Sequence, residues 1–364
     1  HVAAPERLKP GALDVALDVD VDNSGALLSR RGQTEISATA SHSMYAARGL
    51  CVAMQGVDMK RMDEAGALTQ LARLQYGGPV SYAESNDVVY FSNGVDTGRI
   101  VNGSVREWGV RPPLSQPAAA AGGGSLPPAR YLYAMTFVRS DGLESGARVP
   151  GVIELADTGG ISFSSMEVSS DTGVAGKALY ISGPNGTELY RVAVVPASTS
   201  SYSYSNAAMD LSSVLHPDPV EPAPPGTIVE VHAGVAYVVD GHVAWASDQY
   251  NLERFRRATR FLQLPGQITL FVSVEDGIYA ATEAGTWFLA GTDPEEMRAR
   301  KVLTYGAVPG TAVKFDGEEL LAEDQRTGAS SLSAMWMSPN GAIMGAAGGL
   351  VKNLTEGRHS VPGA

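Results

Sequence analysis

Glycine-centred turns between short apolar runs recur along this chain, and the recurrence limits its fold more than any other feature. Comparable hairpins centre on Gly25 (LDVDVDNSGALLS), Gly56 (LCVAMQGVDMKRM), Gly94 (VVYFSNGVDTGRI), Gly241 (AYVVDGHVAWAS), Gly285 (IYAATEAGTWFLA) and Gly349 (AIMGAAGGLVKNL). The first two intervals are 31 and 38 residues, and the last two are 44 and 64, the latter divided into 32 and 32 by Asp316-Gly317. Between Gly94 and Gly241 lie 147 residues, but removal of a compositionally distinct stretch, 111–225, returns that gap to 32. Short strands repeating at 32–44 residues are the signature of propeller blades, each a four-stranded antiparallel meander. Residues 79–110 parse as PVSYAE, VVYFSN, GRIVN and VREWGV, and residues 268–303 as ITLFVSV, GIYAAT, TWFLAG and MRARKVL. Helical periodicity is nearly absent. Asp63–Leu74 also reads as turn plus strand, and Asp293–Lys301, with Pro294 and two acids near its start, predicts one or two helical turns.

The stretch 111–225 reads as a separate unit. It opens with PPLSQPAAAAGGGSLPP (Pro112–Pro128), a linker by composition, and closes with HPDPVEPAPPG (His216–Gly226), a stiff polyproline-like return. Between them Tyr131, Tyr133, Met135 and Phe137 alternate, and KALYISG and TELYRVAVV flank a Pro-Asn-Gly turn. The expected fold is therefore all-β: a five- or six-bladed β-propeller in two parts, 1–110 and 226–364. Between the parts, 111–225 forms a small β-sandwich of immunoglobulin or fibronectin size without the Cys/Trp/Cys spacing.

Composition narrows the function classes. The 44% hydrophobic content supplies a core, and the single cysteine, Cys51, excludes an intramolecular disulfide or a cysteine-built metal site. No apolar run reaches the roughly 18 residues of a membrane span. Residues 1–11 lack the basic and apolar regions of a secretory peptide. The net charge of −12 argues against a general nucleic-acid binder. The acceptor-like Asn102-Gly103-Ser104 and Asn185-Gly186-Thr187 read as Asn-Gly turns, and Asn353-Leu354-Thr355 is a third match.

No catalytic or cofactor motif stands out. Asp18, Asp20 and Asp22 have the spacing of the first calcium-loop ligands, but Asn23 replaces the required Gly and Ser29 the bidentate Glu. The six histidines form no ligand cluster; His232 and His242 flank a hairpin without a third partner. Gly122-Gly123-Gly124-Ser125 lacks the strand and helix of a phosphate loop. The adjacent pairs Glu275-Asp276, Glu295-Glu296 and Glu318-Glu319 point to opposite faces of a strand and so do not make an acid/base couple. Trp108, Trp245, Trp287 and Trp336 are expected at similar places in their blades, as packing between blades. No metal and no cofactor is expected. The basic cluster Arg254, Phe255, Arg256, Arg257, Arg260 and Phe261, in NLERFRRATRF, reads as a subunit contact.

Several phrases resemble a family of bacteriophage virion proteins, the β-propeller tail nozzle or hub proteins of short-tailed phages. They are VDVDNSGALLSRRGQTEI, YFSNGVDTGRI, REWGV, YAMTFVRSDGLESG, ALYISGPNGTELYRVA, EVHAGVAYVVDGHVAWASDQYNLERF, EDGIYAATEAGTWFLAGTDPEEM and GGLVKNLTEGR, loose motifs in a fixed order over nearly the whole chain. The resemblance implies a non-enzymatic structural protein in the phage tail. It implies a ring of six copies around the channel through which double-stranded DNA leaves, in contact with other tail or head–tail connector proteins, and no membrane span. An acidic wall would let a duplex pass without holding it, and Asp18, Asp20, Asp22, Asp96, Asp240, Glu275 and Asp276 are the expected lumen or rim acids. Two alternatives stay open at this point: a carbohydrate-binding or glycan-hydrolysing propeller, and a generic adhesion or scaffold propeller.

Overall fold

The computed structural model describes residues 19–21 and 27–29 as backbone, and 37–47, 49–206, 211–215, 220–317 and 332–355 in full. The chain is all-β. A short hairpin, β1 (Val19–Val21) with β2 (Leu27–Ser29), comes first. Five antiparallel meanders then carry most of the mass. The first is β3 (His42–Ala47), β4 (Leu50–Gln55), β5 (Asp58–Met62) and β6 (Leu68–Arg73). The second is β7 (Ser81–Ser85), β8 (Val88–Ser92), β9 (Thr97–Val101) and β10 (Ser104–Arg106).

A different unit follows: β11 (Ala118–Leu126), β12 (Ala129–Arg139), β13 (Gly151–Leu155), β14 (Gly159–Ser164), β15 (Val174–Ser182), β16 (Leu189–Pro196) and β17 (Tyr202–Tyr204). The third meander is β18 (Ile228–His232), β19 (Val235–Asp240) and β20 (Val243–Asp248), with β21 (Asn251–Phe255) and β22 (Phe261–Gln263) both pairing to β20. The fourth is β23 (Leu270–Val274), β24 (Gly277–Thr282), β25 (Gly285–Ala290) and β26 (Arg298–Leu303). The fifth is β27 (Val313–Asp316), β28 (Leu332–Ser338), β29 (Gly341–Ala346) and β30 (Leu350–Asn353).

Alternation explains how the meanders stack. Successive residues of a strand face opposite ways, so a strand covered on both sides reads as continuously apolar. In β19, Val235, Tyr237 and Val239 pack toward the fourth meander, while Ala236 and Val238 pack toward the second. In β24, Ile278 and Ala280 face the third meander, and Tyr279 and Ala281 join Trp336 and Ile343 of the fifth. Four apolar layers thus lie between five consecutive sheets, the first formed by Val52, Met54 and Met59 against Phe91 and Ile100. Each fully buried Val, Leu, Ile, Phe or Met contributes about 1.5–3 kcal/mol. The tight turns have the left-handed residues that two-residue hairpins require: Asn102 (φ 49°) and Gly103 (φ 70°) join β9 to β10, and Ala233 (φ 49°) and Gly234 (φ 77°) join β18 to β19.

The structure corrects three expectations and shortens a fourth. The glycine rhythm is in phase only in part. Gly56, Gly94, Gly241 and Gly285 all sit at or beside the turn between second and third strands, whereas Asp316-Gly317 ends a first strand and Gly349 joins a third to a fourth. The segment expected to be a linker is largely β11, whose Ala118–Gly122 pairs with Gly160–Ser164 of β14. Compositional softness is overridden because glycine permits close approach: a Cβ at Gly160 would stand 2.4 Å from the Gly123 carbonyl and 2.6 Å from that of Tyr204. Residues 293–301 make one turn, with the Glu296 and Met297 amides donating to the Asp293 carbonyl, and then enter β26 instead of continuing as helix. The tryptophans occupy unlike positions: Trp108 after a fourth strand, Trp245 and Trp287 in third strands, Trp336 in a second.

In the 118–204 unit, one sheet has the order β11-β14-β17 and the other β13-β12-β15-β16. They share a core in which Tyr131, Tyr133, Met135 and Phe137 of β12 meet Leu126, Ile161, Phe163 and Tyr204 of the other sheet.

Candidate functional site

The arginine-rich segment lies on β21 and the turn into β22. Arg254 and Arg256 approach Asp248 at 3.7 and 3.1 Å, and Arg257 reaches Glu221 at 3.2 Å while lying 5.0 Å over the Trp245 ring. Arg260 pairs with Glu295 at 2.9 Å and Asp293 at 3.4 Å and donates to the Ser247 carbonyl. The local positive charge is therefore met by acids of the same chain. Phe255 is fully buried, its ring edge-on to Trp108 at 5.7 Å, so it is a core residue and not a subunit contact. Phe261 remains 39% exposed beside Trp245.

The expected rim acids separate. Asp18 and Asp22 lie outside the described residues, as does the side chain of Asp20. Asp96 is a structural acceptor: its carboxylate takes the amides of Gln75 and Tyr76 and the Asn93 side-chain amide, tying the turn between β8 and β9 to the approach to β7. The Asp276 carboxylate accepts the Gly348 amide at 2.9 and 3.1 Å and so ties the fourth meander to the fifth. Asp240, the last residue of β19, and Glu275, in a turn, are exposed. Asp240 ends a second strand and Asp96 follows one, whereas Glu275 and Asp276 follow a first, which puts them at opposite ends of the sheets. The His232 Nε2–H donates to the Gly291 carbonyl, which aligns neighbouring sheets end to end and confirms that separation. His242 sits at the other end from His232, and among the described residues no group of three His, Cys, Asp or Glu is placed to hold a metal.

First strands converge on a polar cluster missed in the sequence. Glu230 of β18 is buried; its Oε1 accepts from Ser273 of β23 at 3.1 Å and from the Lys314 ammonium of β27 at 2.7 Å. Desolvation lowers the His232 pKa, against the raising effects of the Gly291 carbonyl, Glu230 and Asp276. The sequence signal was a lone acid within the apolar run IVEVH.

A second cluster joins the 118–204 unit to the meanders. Glu253 of β21 accepts from Arg139 of β12 at 2.6 and 2.9 Å and forms an ion pair with Arg99 of β9 at 2.9 Å. Their side chains are only 14%, 7% and 13% exposed, respectively. Burial acts against the Arg139 charge, but hydrogen bonds to Glu253 and Asp141 outweigh it and raise the pKa. The bond from Arg139, assisted by Arg99, lowers that of Asp141 against its partial burial. Beside this joint opens a cleft of about 430 Å³, lined by Arg99, Ser104, Arg106, Arg139, Asp141 and Asp171 among others. Alternation gave a clue here as well. Arg139 continues the inward row Tyr131, Tyr133, Met135, Phe137, just as Lys177 begins the inward row with Leu179 and Ile181. The buried Lys177 ammonium donates to the carbonyls of Thr199 at 2.6 Å and Met166 at 3.3 Å.

No protein-family model matches the sequence, and no curated protein matches it. Solved structures similar in shape are propeller-like proteins. One is a streptogramin B lyase, 11% identical over 86% of this chain and 81% of that one, with a TM-score of 0.33. A virginiamycin B lyase from Staphylococcus aureus, in a structure with quinupristin, is 10% identical over 88% and 87%, at 0.34. AztD from Citrobacter koseri is 13% identical over 90% and 87%, at 0.28. None of these likenesses transfers a function to this chain.

Among the described residues no helix is long and apolar enough to cross a membrane.

Proposed function

We propose that the chain is a bacteriophage virion structural protein, a nozzle or hub component of the tail that assembles as a ring around the DNA-exit channel. In this reading the five meanders are five propeller blades, and 111–225 is a β-sandwich inserted between the second and third. The architecture carries the proposal: five sheets stacked through four apolar layers, with a second two-sheet unit joined to them by buried ion pairs. A body of this kind suits bearing load and keeping register. The ordered motifs that resemble phage nozzle and hub proteins run through both parts. The Glu230–Lys314 pair reaches from the third blade to the fifth. The channel of this reading is accordingly the space enclosed by several copies, and not the axis of one propeller.

Electron-microscopic class averages of the purified protein, with antibody labelling of phage particles, test the proposal. Ring-shaped averages and labelling on the tail axis are expected. A monomer at high concentration together with unlabelled tails would overturn it, and selective binding on a glycan array would replace it with a carbohydrate-binding role.

A further inference from the structure

Both chain crossings between the meanders and the 118–204 unit pass one point. The Glu221 and Phe255 backbones exchange hydrogen bonds of 2.9 and 3.1 Å, and the Ala223 amide donates to the Trp108 carbonyl at 3.0 Å. Gly109 (φ 96°) threads between them, where a Cβ would stand 2.7 Å from the Glu253 carbonyl and 2.8 Å from Pro222 Cα. These ties pin the crossings to the meander side. Among the described residues, the unit's ion-paired link to the meanders is Arg139, at the end of β12, which grips Glu253 with two nitrogens while its Nε and Nη2 hold Asp141.

The two buried arginines beside the adjacent cleft are not free to take an anion, because the Arg139 donors are already taken and Arg99 Nε serves the Glu107 carbonyl. The arrangement reads instead as a latch. Two nearly buried guanidiniums share one nearly buried carboxylate, so removing the carboxylate leaves two cations facing each other with only Asp141, on the Arg139 side, to compensate them. Such a contact is either fully made or abandoned. We propose that Arg139, Glu253 and Arg99 form an all-or-none latch that holds the 118–204 unit at a single angle to the five meanders, and that breaking it frees the unit to swing as an intact body. This inference does not depend on the virion assignment.

The test uses the full chain with Cys51→Ser and spin labels at two exposed positions, Ala120→Cys on the unit and Glu283→Cys on the fourth meander. Pulsed electron spin resonance reads the distance between them. With the latch intact the distribution is narrow. Arg139→Met, which leaves the Arg99–Glu253 pair in place, widens it at least twofold, and Glu253→Gln does the same. Hydrogen exchange on the same variants is expected to leave 131–137 and 174–181 as protected as before. An unchanged width in both variants overturns the latch. So does widening accompanied by lost protection across those strands, since Arg139 would then support only the unit's own fold.

Discussion

Phe255 and His232 illustrate how a residue's surroundings decide its role. In the sequence Phe255 stands among four arginines and shares their apparent surface, but strand alternation turns it inward against Trp108 while its neighbours find carboxylates. Single residues of this kind are poorly legible because the partners, Asp248, Glu221 and Trp108, come from other strands. For His232 the structure yields a pH dependence. Burial lowers its folded pKa below the ordinary 6.5, outweighing Glu230, Asp276 and the Gly291 carbonyl, while Lys314 acts in the same direction as burial. The unfolded chain therefore takes up the proton first as pH falls. Stability contributed through His232 rises with pH from its lowered value up to about 6.5 and is flat above, with a slope inside that window of at most about 1.4 kcal/mol per pH unit. His232→Gln, which keeps a donor for Gly291, should flatten this part of the curve in denaturant titrations run at a series of pH values. If the variant and parent curves stay parallel through the window, the histidine is not responsible.

Among the elements, hairpins were the most legible features, because a turn between alternating runs is encoded within a dozen residues. The second and fourth meanders match their sequence parse strand for strand. The fifth is out of phase with the glycine rhythm because Asp316-Gly317 closes its first strand and not the turn between its second and third. β11 was misread for a different reason: AAAAGGG has neither β-branched residues nor alternation, and it is a strand only because β14 brings glycines to meet it. Two substitutions separate that account from simple glycine flexibility. Gly160→Val places a side chain against two backbone carbonyls and should cost about 1–3 kcal/mol, with lost amide protection in β11 and β14. Gly123→Ala meets nothing within 4 Å and should be neutral within about 0.5 kcal/mol. Equal effects from the two in thermal and exchange measurements would show that packing at Gly160 is not what makes the strand.

For the molecule as a whole, net charge matters less than where the cations are spent. A surface that holds duplex DNA does so by setting lysines and arginines against phosphates and releasing counterions, so affinity falls steeply with salt in proportion to the contacts made. Here the densest arginine run is paired with Asp248, Glu221, Asp293 and Glu295, and Arg99 and Arg139 are committed to Glu253. Recruiting them to phosphate would mean breaking ion pairs, several of them half-buried, on a chain of net charge −12. That arrangement suits a protein that DNA passes without being held. In fluorescence anisotropy with a labelled duplex, association should be weak at low salt and vanish at physiological ionic strength. Nanomolar binding there would contradict the proposed role of a passive channel wall, and a steep salt slope would identify how many cations leave their carboxylates to make it.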